Sequence, residues 1–154
     1  MKYKIKTSLL ILICAFTFSS CNNKPSTSIK AYIAMDKKPI EGTILKLYVD
    51  DEFEGNIPVV NGFDENSTAL DKAFLKDLEN GEYEVKLKNA NDDILSVAVV
   101  NIAFGSRSMN LTGLGSHSTV TKSKISLESY NPDQNSPYKF KCVTKQDAVF
   151  LILQ

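Results

Sequence analysis

The stretch from Val49 to Asn56, VDDEFEGN, sets Asp50, Asp51, Glu52 and Glu54 within five positions and follows them with Gly55. Carboxylates gathered this closely have the chemistry of a hard-cation site, because calcium takes oxygen ligands from a flexible loop. With Asp50 at the first position of an EF-hand loop, Glu52, Glu54 and Gly55 fall on the third, fifth and sixth positions. Pro58 then occupies the ninth position and Asn61 the twelfth, where a bidentate glutamate is required. The flanking residues alternate like strands, whereas an EF-hand needs two helices. The stretch is therefore expected to be a solvated acidic hairpin tip, with a weak calcium-binding module as the alternative and no metal in the principal reading.

Other reactive side chains are sparse. His117 is the only histidine and lies in the Gly- and Ser-rich run TGLGSHSTV, expected to be a loop. Ser116 and Ser118 are too near it in sequence to define a triad. One histidine and so few cysteines cannot assemble an ordinary zinc site. SPYK at 136–139 has the S-x-x-K spacing of penicillin-binding enzymes without their S-D-N and K-T-G companions. Cys142, in YKFKCVT, alternates with lysines alongside Tyr138 and Phe140, which predicts an inward-facing thiol behaving as a small hydrophobe. No catalytic residue and no cofactor is expected. The competing enzymatic reading is a lipid-anchored hydrolase in which two of Asp92, Asp93, Glu52 and Glu54 converge as acid and base.

The N-terminus carries an address. Lys2, Lys4 and Lys6 precede the apolar run Leu9–Phe18, and small residues lead to a cysteine, the layout of a secretory signal. The run is about half of the roughly 20 apolar residues that span a bilayer as a helix. Its end, FSSC, resembles a bacterial lipobox of the looser type found in Bacteroidetes lipoproteins. That resemblance implies cleavage between Ser20 and Cys21 and palmitate-type acylation of Cys21. Residues 1–20 are then a signal peptide, 21–28 a flexible tether, and 29–154 one domain.

Removing residues 1–20 takes away three lysines and no acid, so 18 basic and 18 acidic residues become 15 and 18, a net charge of −3. A weak acidic excess offers nothing to nucleic acid. Cys14 leaves with the signal and Cys21 becomes a thioether, so Cys142 has no partner for an internal disulfide. Cys21 is not followed by an acidic run of the kind that resembles the surface-export signal of Bacteroidetes lipoproteins, and that resemblance, being missing, implies the periplasmic face of the outer membrane.

From Ile29 onward the apolar period is two, the spacing of a sheet with one face buried. IKAYIAM, TILKLYV, EYEVKLK, ILSVAVVNIAF, VTKSKISLESY, YKFKCVT and AVFLIL are the expected strands, separated by the turn-forming runs DKKPIEG, NANDD, GSRS, NPDQNSP and KQD. This pattern predicts an all-β, mainly antiparallel β-sandwich of about seven strands. AVFLIL has no polar alternation and is expected to be covered on both faces. Thr68, Asp71 and the stop Asn80–Gly81 predict one short helix over 69–78, with a strand over 73–78 as the competing assignment.

KKPIEGTILKLY and DENSTALDKAFLKDLENGEYEV resemble the prealbumin-like sandwich domains of the Cna B-type and carboxypeptidase-regulatory-like families. The likeness spans about residues 34–88 and implies an immunoglobulin-like sandwich. The crosslinking lysine and its assisting glutamate of many Cna B-type domains would fall near Ala34 and Leu87, so no isopeptide bond is expected. LYVDDEFEGNIP is similar to hairpins of the PEGA family, with Asp50, Gly55 and Pro58 in place. Both resemblances imply a small β module used for binding or spacing in the cell envelope.

The functional expectation is a lipid-anchored, noncatalytic binding or scaffolding lipoprotein, not an enzyme. It contacts the membrane through its anchor and an envelope protein or glycan through exposed residues. The expected contact residues are Asp50, Asp51, Glu52, Phe53, Glu54 and Phe63, the two phenylalanines because they stand among polar loop residues.

Overall fold

The computed structural model describes residues 28–110 and 117–154, and of residues 106–110 and 117–122 the backbone. The signal segment, Ser20, Cys21 and the tether to residue 27 lie outside the described residues, as does the Gly113–Gly115 stretch.

Among the described residues nine strands build two sheets that pack as a sandwich. They are β1 (Ile29–Met35), β2 (Lys46–Val49), β3 (Glu52–Asn56), β4 (Phe74–Leu78), β5 (Gly81–Lys88), β6 (Ile94–Asn110), β7 (His117–Tyr130), β8 (Phe140–Lys145) and β9 (Ala148–Leu153). One sheet runs β4-β1-β9-β8 and the other β3-β2-β5-β6-β7. Every neighbouring pair is antiparallel except β1 and β9. Parallel pairing needs a long connection, and these two strands stand at opposite ends of the domain sequence.

Alternation does the work expected of it. Ile29, Ala31, Ile33 and Met35 of β1 meet Leu47, Val49, Val85, Leu87, Ala98 and Val100 of the opposite sheet in one buried cluster. Val149, Leu151 and Leu153 of β9 enter that cluster, while Phe150 and Ile152 point the other way into a second one with Ala34, Val60 and Phe63. The continuous apolar run of AVFLIL thus reflects burial on both faces.

The second cover is the connection from β3 to β4. It crosses from one sheet to the outer face of the other, held by hydrogen bonds from Met35 N to Pro58 O (2.8 Å) and from Val60 N to Met35 O (2.8 Å). Phe63 N donates to Asp36 Oδ1 at 3.0 Å, and the Phe63 ring lies 6.4 Å from that of Phe150. Phe63 is therefore only 2% exposed, which removes it from the expected contact residues. Its polar neighbours in sequence face solvent while its ring fills the space above β9.

Three further expectations are corrected. Residues 69–78 are a 3-10 turn, Leu70–Lys72, followed by strand β4. Ala69 supplies no side-chain cap, and β1 offers an open edge to which β4 pairs from Ile29–Leu78 to Ile33–Phe74, burying Leu78. GSRS is not a turn: β6 continues through it to Asn110. His117 to Val120 belong to β7, not to a loop, with Asn110 opposite His117. Among the described residues the strands number nine where about seven were expected: β3 lies in none of the expected strand runs, and β4 is the strand that the competing assignment placed over 73–78.

Phe63→Ala is expected to destabilise the domain by about 3–5 kcal/mol in equilibrium denaturation, the loss typical of a buried aromatic ring.

Candidate binding surface

The β2–β3 hairpin reverses over two residues, Asp50 and Asp51, with φ of 51° and 65°. Two left-handed residues in succession make the turn whose twist matches a hairpin, and aspartate tolerates that conformation better than most side chains. Asp50 is also stitched to β5: its N donates to Glu84 O at 2.9 Å, and Glu84 N donates to its Oδ1 at 2.8 Å. Asp51 Oδ1 accepts from Lys86 Nζ at 2.9 Å, and the same ammonium lies 2.5 Å from Glu84 Oε1. The hydrogen bonds that Lys86 donates to Glu84 and then to Asp51 raise its pKa, and Lys86 in turn holds the Asp51 carboxyl below its ordinary range.

Glu54 has a different task. Leu47 pairs with Gly55 and Tyr48 with Phe53, so Glu54 is an extra residue in a β-bulge, with Gly55 at φ 131°. A bulge turns its side chain away from the regular pleat. The Glu54 carboxylate consequently reaches Lys76 on β4, the edge strand of the other sheet. This ion pair ties the two sheets at one side of the sandwich. On the opposite side Ser129 Oγ of β7 donates to Phe140 O of β8 at 2.8 Å.

Of the expected contact residues, Asp50, Asp51, Glu52, Phe53 and Glu54 come together on this hairpin, and Phe53 is 59% exposed. Its ring stands 5.4 Å from that of Tyr48, whose face is capped by Lys88 Nζ at 4.1 Å. β3 ends its sheet, leaving its outer edge open among the described strands. Directly opposed residues share a face, and the register carries a single row across all five strands: Phe53, Tyr48, Lys86, Val97 and Tyr130. At about 4.8 Å per strand the row is roughly 19 Å wide. Tyr130, at 51% exposure, ends it and lines a concavity of about 330 Å³ with Asn131, Gln134 and Lys139.

Tyr130 was not among the expected contact residues. The signal that finds it is parity: Ile125 and Leu127 pack inward, so Ser126, Glu128 and Tyr130 take the outer face.

The carboxylates of the hydrolase reading occupy separate elements. Asp92 and Asp93 lie on the β5–β6 turn, where Asp92 pairs with Lys46 at 2.8 Å and Asp93 accepts from Asn89 Nδ2 at 2.9 Å. Glu52 and Glu54 lie on β3. None of the four lines the concavity beside Tyr130, the apolar one beside Ile44 and Val59, or the one beside Tyr32 and Lys145. Among the described residues no group of three or more His, Cys, Asp or Glu is placed to hold a metal ion. In the SPYK stretch, Ser136 is buried and its hydroxyl accepts from Tyr138 N at 3.3 Å, closing a local turn. Cys142 is half-buried against the core, and that burial pushes its thiol up to about 11.

No protein-family model, curated protein or solved structure matches this chain. Among the described residues no helix is long and apolar enough to cross a membrane.

Two measurements check these electrostatics. Because Asp51 has a lowered native pKa, the stability it contributes is present above its unfolded value of about 4 and is lost as pH falls through the lower native value. Asp51→Asn should therefore lower the melting temperature at pH 7 and leave it unchanged below both values. Cys142, mostly protonated at pH 8, should react with iodoacetamide about a hundredfold more slowly than an ordinary free cysteine of pKa about 8.5.

Proposed function

We propose that the protein is a lipid-anchored, noncatalytic binding module of the bacterial envelope. In this reading the signal is removed before Cys21, the acylated Cys21 holds the domain at the outer membrane facing the periplasm, and the outer face of the five-stranded sheet meets an envelope protein or glycan.

One observation carries the binding part of the proposal: exposed Phe53 and Tyr130 stand at the two ends of one register row. A large exposed aromatic ring gains most from being covered, since it brings much apolar area and few rotatable bonds. The row between them is held in place. Lys86 is fixed by Glu84 and Asp51, Val97 is buried, and the Tyr48 ring lies under Lys88, which stands beside the row. Preorganised side chains lose little entropy when a partner arrives.

Full chain recovered from membranes after cross-linking tests both parts. Wild type should carry acyl groups at its N-terminus and retain a partner; Cys21→Ala should lose the acyl groups and leave the membrane fraction. Phe53→Ser with Tyr130→Ser should reduce partner recovery about tenfold or more while changing stability by about 0.5 kcal/mol or less. Undiminished recovery by the double variant would remove the face from the proposal, and acyl-labelled Cys21→Ala would remove the anchor.

A further inference from the structure

The β6–β7 hairpin outruns the sandwich. β5 stops with Gly81 opposite Ile102, and the β4–β5 turn makes its last contact where Phe104 N donates to Asn80 Oδ1 at 2.6 Å. β6 and β7 nevertheless stay paired from Gly105–Lys122 out to Asn110–His117. Six residue pairs extend past the last supporting strand, an arm of about 20 Å at 3.4 Å per residue. β7 is the terminal strand of its sheet, so among the described residues the arm has two open edges and no third strand. A two-stranded ribbon alone is marginally stable in water, and something that covers this one stabilises it.

Charge identifies the partner. From Ile94 to Leu127 there is no aspartate or glutamate, while Arg107, Lys122 and Lys124 are all basic. The rest of the chain after residue 20 holds 12 basic and 18 acidic residues. All three basic residues fall on the arm or its base, Arg107 opposite Val120 and Lys124 opposite Ala103. Among the described residues, the basic part of an otherwise acidic chain thus lies on the arm that outruns its sheet and at the arm's base.

Direction identifies the surface. Ile29 pairs with Leu78, two residues before Asn80, so the chain leaves β1 toward Cys21 at the same end from which the arm projects. Eight residue steps separate Cys21 from Ile29. They span at most about 28 Å, a little more than the arm, so an arm of this length reaches the surface in which Cys21 is held. The acidic Asp50–Glu52 tip, Glu79 and Glu82 lie at that end too. Glu82 is opposite Asn101, four residues or about 14 Å behind Gly105 at the arm's inner end, and Asp50, bonded to Glu84, stands farther back. That separation exceeds the Debye length of about 8 Å at physiological salt, so the repulsion of the tip and Glu82 is screened from a surface along which the arm lies. Glu79, beside Asn80 at the arm's base, is matched by Lys124 at that base.

We propose that the β6–β7 arm docks on anionic lipid headgroups as a second membrane contact beside the anchored Cys21. The inference rests on the anchored reading given above. Each basic residue brought to an anionic surface strengthens binding about fivefold, so Arg107 and Lys122 on the arm together contribute about thirtyfold, and Lys124 at its base less.

Hydrogen exchange on the full lipidated chain in vesicles tests it. On phosphatidylcholine mixed with phosphatidylglycerol, amides of 105–110 and 117–122 should exchange about tenfold more slowly than on phosphatidylcholine alone, and high salt should cancel the difference. The combined Arg107→Gln, Lys122→Gln and Lys124→Gln variant should lose the effect, with unchanged protection of β1 and β9 certifying its fold. Equal exchange on the two vesicle types overturns the proposal, as does full protection in the combined variant. Protection that grows with protein concentration on neutral vesicles also overturns it, in favour of self-association. An N-terminal peptide without acyl groups overturns the anchored reading instead. The arm is then judged by co-sedimentation of the full chain with the anionic vesicles: binding lost at high salt and in the combined variant supports it, and no such binding overturns it.

Discussion

β9 is the strand on which the remaining architecture depends. It lies between β1 and β8, and its side chains are buried alternately in two separate clusters. Each fully buried aliphatic or aromatic side chain is worth about 1.5–3 kcal/mol, so leaving either face of this apolar strand open would forfeit a large share of a domain's net stability. One face receives the five-stranded sheet. The other receives residues 57–73, and that need explains why Phe63 leaves its polar neighbours to pack on Phe150. It also delivers the chain to the free edge of β1, where β4 forms.

The acidic hairpin follows a similar logic on a smaller scale. Its four carboxylates first suggest a common ligand, yet three of them find their partners in amides and lysines of the protein itself. Asp50 binds Glu84 N, Asp51 binds Lys86, and Glu54 binds Lys76 across the sandwich. Exposed ion pairs contribute little stability individually. Their consequence is positional: they settle the turn and the bulge that set Phe53 and Tyr48 on the outer face.

Residues 69–78 and Tyr130 mark where local sequence reading stops. Good helix formers in STALDKAFLKDL favour a helix, but a helix there would leave β1 with unpaired backbone groups along one side. Pairing with β1 outweighs propensities worth only tenths of a kcal/mol per residue. Tyr130, in contrast, was legible: strand parity sets it outward with Ser126 and Glu128. The bulge at Glu54 was not legible, because its purpose is a lysine on another sheet.

By itself the sequence determined the all-β class, the turns at Asp36–Gly42, Asn89–Asp93 and Asn131–Pro137, and the two-sided burial of AVFLIL, since all of these follow from the spacing of apolar and turn-forming residues along the chain. Only the tertiary structure decided that Phe63 is interior, that β4 is a strand, that one register row joins Phe53 to Tyr130, and that β6 and β7 project beyond their neighbours. Each of these depends on which segments distant in sequence lie side by side and where the shorter one ends, a relation that no local pattern of residues encodes.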